Sequence, residues 1–121
     1  MENISALDLK KRIDGKKDFL LLDVREAYEH ETAKIDYENS KLIPMSEFPE
    51  KWQELLDFKN KKIVAYCHSG ARSLSAANFL KIKGFKNVKS LEGGINEYSK
   101  IDSSVPFYKK NALMKTAWVE D

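Results

Sequence analysis

The residues best suited to chemistry lie together in Ala65-Tyr66-Cys67-His68-Ser69-Gly70-Ala71-Arg72-Ser73. Cys67 is the only cysteine of the chain, and it stands where a buried apolar run ends and a helical pattern begins. In open α/β sheets ligands bind at that edge, beyond the carboxyl ends of the strands. A loop curling into a helix N-terminus aims several backbone N–H groups at one point, and the helix dipole adds partial positive charge. Such a setting favours thiolate over thiol and makes the sulfur a nucleophile. Gly70 lets the loop turn tightly. Ser69 offers a hydroxyl hydrogen bond to the same anion, and Arg72 offers a planar fork for an incoming oxyanion. On position alone, a cysteine at a strand end reads as a small buried hydrophobe. Glycine three residues on, arginine five on and a helix directly after turn the reading toward a reactive thiolate. His68 reads as an entrance residue facing solvent rather than as a general base, because neighbouring loop side chains diverge.

The elements that must hold this loop follow from periodicity. Ser5 caps a helix whose Ala6, Leu9 and Ile13 share one face, and Gly15 stops it. Phe19-Leu20-Leu21-Leu22-Asp23-Val24 is a continuous apolar run ending in charge, as expected of a strand buried on both faces. Residues 26–34 predict a short helix and Asp36 to Ser40 a polar loop. Lys41 to Met45 predicts a short strand. Pro49 suits the first turn of a helix with Phe48, Trp52, Leu55 and Leu56 on one face. Lys62 to Tyr66 is a second buried strand, and a helix with Ala76, Ala77 and Leu80 inward runs from Ser73 to about Lys83. Val88 to Leu91 is a last strand, and Glu92-Gly93-Gly94 turns into a helix ending near Ser99. Strands alternate with helices, so the expected class is α/β with a mainly parallel central sheet and helices on both faces.

Composition narrows the function. The chain has 121 residues, enough for one domain. Its 42% hydrophobic and 33% charged content is that of a globular protein. No apolar run approaches the roughly 18 residues of a membrane span. Met1-Glu2-Asn3-Ile4 leads to Lys10-Lys11-Arg12 without an apolar core, so no secretory signal is expected. One cysteine forms no internal disulfide and, with two histidines, no ordinary structural zinc site. A reducing, cytoplasmic compartment is the expectation. Net charge is only +2, which offers no large field for nucleic acid, so neither nucleic acid nor membrane is expected as a partner. Eighteen lysines stand against three arginines, Arg12, Arg25 and Arg72, which singles out each arginine as a possible oxyanion fork.

Over residues 4 to 107 the chain resembles a single-domain rhodanese. Four features match in order: the leading helix, Leu22-Asp23-Val24-Arg25-Glu26 with Glu29, the loop from Cys67 to Arg72 with Ser73, and Leu91-Glu92-Gly93-Gly94-Ile95. The resemblance implies a rhodanese-like domain over 1–107 in which Cys67 carries a persulfide. Sulfur would come from thiosulfate or another sulfane donor and pass to cyanide, a thiol or a partner protein. It places the substrate in the loop of His68, Ser69, Gly70, Ala71, Arg72 and Ser73. Asp23 would accept hydrogen bonds near the loop, Arg25 would form a structural ion pair, with Glu29 as candidate partner, and Gly93 and Gly94 would permit the backbone beside the site. No metal, nucleotide or flavin is required. Rhodanese-like phosphatases and arsenate reductases remain a rival, but phosphatases of this type carry five residues between Cys and Arg. Here there are four, and position 73 is Ser73. A second rival is a persulfide carrier in a protein sulfur relay, and a third, the weakest, a binding module. One departure stands out: where the family commonly has Gly-His-Ile and then Pro-Gly-Ala, this chain has Ala33-Lys34-Ile35 and the polar run 36–40, which bears on access and donor preference. The remaining tail, 108–121, carries Leu113, Met114, Ala117 and Trp118 at helical spacing and is expected to pack on its own domain.

Overall fold

The apolar run at Leu20-Leu21-Leu22 feeds two cores, one on each side of a sheet. The computed structural model describes residues 2–105, so the tail and the boundary expected at 107 lie outside the described residues. The strands are β1 (Asn3–Ile4), β2 (Leu20–Asp23), β3 (Ser40–Leu42), β4 (Lys62–Tyr66) and β5 (Asn87–Leu91). They form one sheet in the order β1-β5-β4-β2-β3, and every pairing is parallel. The helices are α1 (Ala6–Asp14), α2 (Ala27–Thr32), α3 (Phe48–Lys51), α4 (Ala71–Ile82) and α5 (Gly94–Tyr98). Among the described residues no helix is long and apolar enough to cross a membrane.

Alternation along the strands divides the side chains. Leu20, Leu22, Ile63, Ala65, Cys67 and Val88 join Ala76, Ala77 and Leu80 of α4 and Phe48 of α3 in one core. Leu21, Val64, Tyr66 and Leu91 join Leu9 of α1 and Ile95 and Tyr98 of α5 in the other. Both faces are therefore covered, as unalternating strands require.

Several local expectations are corrected. The helix expected after Pro49 is a short α3 followed by a 3-10 segment over Trp52–Phe58. Phe48 and Leu55 are buried, but Leu56 is 46% exposed and leaves the expected face. The first strand, β1, has no signature of its own; two residues suffice because β5 supplies their partners. Helix α4 begins at Ala71 rather than Ser73, with Gly70 as its cap at φ 117°, so Arg72 and Ser73 belong to the first helical turn.

Candidate active site

The strand order places the loop. From β2 the chain moves outward to β3, whereas from β4 it moves the opposite way to β5. The carboxyl ends of β2 and β4 thus flank the switch point where open α/β sheets form a crevice. Asp23 ends β2 and pairs in register with Tyr66, the residue before Cys67.

Cys67 is fully buried. Its Sγ receives the Gly70 N–H at 3.1 Å and the Ser73 N–H at 3.4 Å, and Ser73 Oγ stands 3.6 Å away. These donors converge because Gly70 adopts the left-handed conformation that only glycine takes without strain. The loop carbonyls point elsewhere and are tied down: Ile95 N donates to Cys67 O at 2.9 Å and Asn96 N to His68 O at 3.1 Å. So the first turn of α5 clamps the loop from behind. Gly94 makes that approach possible, since a Cβ there would lie 2.3 Å from His68 O. With its donors inward and its acceptors outward, the loop is built to hold negative charge on sulfur.

Two charged clusters stand beside it. Arg25 grips Asp23 through Nε to Oδ1 at 2.9 Å and NH2 to Oδ2 at 2.7 Å, both side chains almost fully buried. The Arg25 backbone N–H also donates to Oδ1, and the guanidinium reaches Ala33 O at 2.8 Å. His30 Nδ1 completes the shell at 2.8 Å from Oδ2. Burial pushes the Asp23 carboxyl up, but the hydrogen bonds and charge of Arg25, with His30, outweigh it and hold the group below the usual carboxylate range. The second cluster is Glu29 with Arg72, joined bidentately at 2.8 and 3.1 Å. Glu29 also accepts the Glu26 N–H, closing a capping box on α2. Burial raises this carboxyl, and Arg72 and the Glu26 N–H bring it below the usual range.

The expected ion pair of Arg25 with Glu29 is therefore corrected: Asp23 takes the Arg25 fork and Glu29 takes that of Arg72. The remaining expected residues gather around Cys67. His68 is half-buried, Ser69 and Ala71 are exposed, and Gly70 and Arg72 are intermediate. Three participants had no sequence signal: His30, which reaches Asp23 from α2; Ser90 of β5, whose Oγ lies 2.7 Å from Ser73 Oγ; and the α5 amides. The divergent 33–40 run starts at the Arg25 cluster, where Ala33 O accepts from the guanidinium, and from Tyr37 on turns away from the site. Asn39 Nδ2 donates to Phe19 O at 2.7 Å, Tyr37 stacks on Phe19 and its hydroxyl donates to Lys17 O. The tip of that loop thus sits at the amino end of β2, opposite the end that carries Cys67.

Comparison with known proteins agrees with this geometry. A family model described as rhodanese-like domain matches residues 5–101. A rhodanese-related protein from Thermoplasma volcanium is 37% identical with a TM-score of 0.71, covering 84% of this chain and 93% of that one. A NAD-dependent persulfide reductase from A. fulgidus is also 37% identical, TM-score 0.62, over 78% of this chain and 15% of that one. A tRNA uridine(34) hydroxylase from Cytophaga hutchinsonii is 38% identical over 91 residues, 73% of this chain and 28% of that protein. The chain spans less than a third of the length of the curated relatives it matches. A match across the sheet, the Cys67 loop and the glycine turn places this chain in the rhodanese-like domain family, whose domains support sulfur transfer.

Proposed function

We propose that the protein is a sulfurtransferase that moves a sulfane sulfur from thiosulfate or a related donor to cyanide or a thiol, through a persulfide on Cys67. The observation that carries this reading is the convergence of two backbone N–H groups on Sγ, with the Ser73 hydroxyl 3.6 Å away. The Cys67 thiolate attacks the outer sulfur of thiosulfate. A new S–S bond forms, the old one breaks, and sulfite leaves with the electron pair. Cyanide then attacks the terminal sulfur of the persulfide, thiocyanate departs, and the thiolate returns. The amides that converge on Sγ are suited to hold each anionic sulfur along this path. Arg72 is the proposed oxyanion contact, and in the resting state it is engaged by Glu29. His68, Ser69, Gly70, Ala71 and Ser73 form the rest of the proposed donor site. Asp23 and Arg25 brace the neighbouring strand end.

Intact-mass measurement after thiosulfate treatment tests this directly. One added sulfur atom, removed by cyanide or a thiol, is the expected result; turnover of a phosphate ester with no sulfur adduct would replace this reading with the phosphatase. Delivery of the sulfur to a protein acceptor, with little cyanide turnover, would identify a relay carrier built on the same persulfide.

A second reading has its own support in the relatives named tRNA uridine(34) hydroxylase. In it the Cys67 loop serves RNA modification, against the expectation of no nucleic-acid partner. Binding of an anticodon stem-loop carrying uridine 34, specific over a scrambled hairpin and followed across salt, would establish it. Equal, weak binding of both RNAs would remove it.

A further inference from the structure

We infer, on the reading of Cys67 as the sulfur carrier, that Ser90 is a positioning residue: it donates to Ser73 Oγ and so strengthens the hydrogen bond that Ser73 can give an anionic sulfur. Ser90 lies on β5, outside the loop, and both serines are buried, Ser90 at 1% exposure and Ser73 at 0%. Their hydroxyl oxygens are 2.7 Å apart. Ser73 Oγ also lies 3.2 Å from Gly70 O and 3.6 Å from Cys67 Sγ.

The proton inventory fixes the direction of the serine pair. Each hydroxyl carries one proton and accepts up to two hydrogen bonds, whereas Gly70 O only accepts. Among the described residues Ser73 Oγ is the hydrogen-bond partner of the Ser90 side chain. If Ser73 donated to Ser90, the Ser90 proton would be buried without an acceptor, an arrangement folded proteins avoid. Ser90 therefore donates and Ser73 accepts. The Ser73 proton is left with two acceptors, Gly70 O and Sγ. While Cys67 is a thiol, its S–H points at Ser73 Oγ and Ser73 bonds to Gly70 O. When the sulfur becomes an anion, the same hydroxyl rotates to donate to it, and no heavy atom moves. The backbone N–H groups of Gly70 and Ser73 are fixed donors; the serine chain is the adjustable one. A chain polarised at its far end also makes Ser73 the stronger donor.

Charged groups near the loop are His68 beside Cys67, Arg72 with Glu29 of α2, and Asp23 with Arg25 and His30 at the end of β2; Lys89 flanks Ser90 on β5. None of them changes when residue 90 is substituted. The test uses the whole chain and follows iodoacetamide alkylation of Cys67 against pH by intact mass, which the single cysteine makes unambiguous. Ser90→Ala is expected to displace the profile to alkaline pH and slow alkylation at pH 7 by about twofold to threefold, the effect of weakening one hydrogen bond without losing it. Ser90→Thr, which keeps the hydroxyl, should restore the wild-type profile. In a Ser73→Ala background, Ser90→Ala should have no further effect. A Ser90→Ala profile that overlays wild type, or a shift that persists without Ser73, overturns the inference. If Ser90→Ala does not fold, the wild-type NMR spectrum decides: a slowly exchanging Ser90 hydroxyl proton in contact with Ser73 supports the inference, and its absence refutes it. Alkylation is read without sulfur transfer, so failure of the sulfurtransferase reading registers separately, in the absence of a thiosulfate adduct.

Discussion

Replacing Glu29 with glutamine would separate the resting role of Arg72 from its role with a donor. In the resting state the carboxylate fills the guanidinium fork, with contacts at 2.8 and 3.1 Å and side chains 29% and 21% exposed. An anionic donor that uses Arg72 must displace this carboxylate. The pair is partly solvated, so its strength lies near the upper end for surface ion pairs, about 1 kcal/mol. Glutamine keeps the shape and the oxygen that accepts the Glu26 N–H, but loses the charge. Thiosulfate should then bind about fivefold more tightly, the equivalent of that energy. The readout is the thiosulfate KM in a thiosulfate:cyanide assay, with an uncharged organic trisulfide as a parallel donor. The trisulfide, which presents no oxyanion, should keep its KM within about twofold. A thiosulfate KM that stays put or rises would show that Glu29 holds Arg72 in its working position instead of competing for it.

Other expectations are simpler to state. Cys67→Ser should abolish both the sulfur adduct and cyanide turnover, with the melting temperature within a few degrees of wild type; retained turnover would move the chemistry to another group. Gly94→Ala should lower activity and cost about 1–3 kcal/mol in chemical denaturation, because its Cβ meets His68 O at 2.3 Å and φ is +61°; wild-type stability would mean the α5 clamp is looser than described. Stability should fall in acid. Folding lowers the pKa of Asp23 and Glu29, so their contribution is complete above the unfolded-state values near pH 4 and is lost as pH drops through the lower folded values. Asp23→Asn should flatten that acid limb in urea titrations and, by leaving Arg25 buried without its counter-charge, destabilise at neutral pH by about 3–5 kcal/mol. An unchanged acid limb would assign the effect to other carboxylates.

Much of this site was legible because it is written locally. The run Lys62 to Tyr66, then Cys67, Gly70 and Arg72, announces a buried strand, a tight turn and a helix in consecutive residues. The resemblance offered Glu29 as the partner of Arg25, but the structure pairs Arg25 with Asp23. The chain bends after β2, and the Arg25 N–H folds back onto Asp23 Oδ1 at 2.9 Å, so Arg25 meets Asp23 before α2 begins. The start of α4 was placed late because its cap is Gly70, which offers no side-chain hydrogen bond to recognise. Strand β1, His30 and Ser90 depend on partners seven or more residues away. A serine in a strand or a histidine in a polar helix carries no mark of what it will face.

The clamp from α5 has a consequence for synthesis. During translation Cys67 emerges well before Ile95 and Asn96, whose N–H groups fix the loop carbonyls. Until those residues leave the ribosome and β5 docks between β1 and β4, the donors around Sγ are not held in place. The nascent chain therefore carries a Cys67 without its N–H partners, and the Gly70 and Ser73 contacts to sulfur are locked only with the last described strand and helix. Completion of the domain and assembly of the Cys67 loop are the same event.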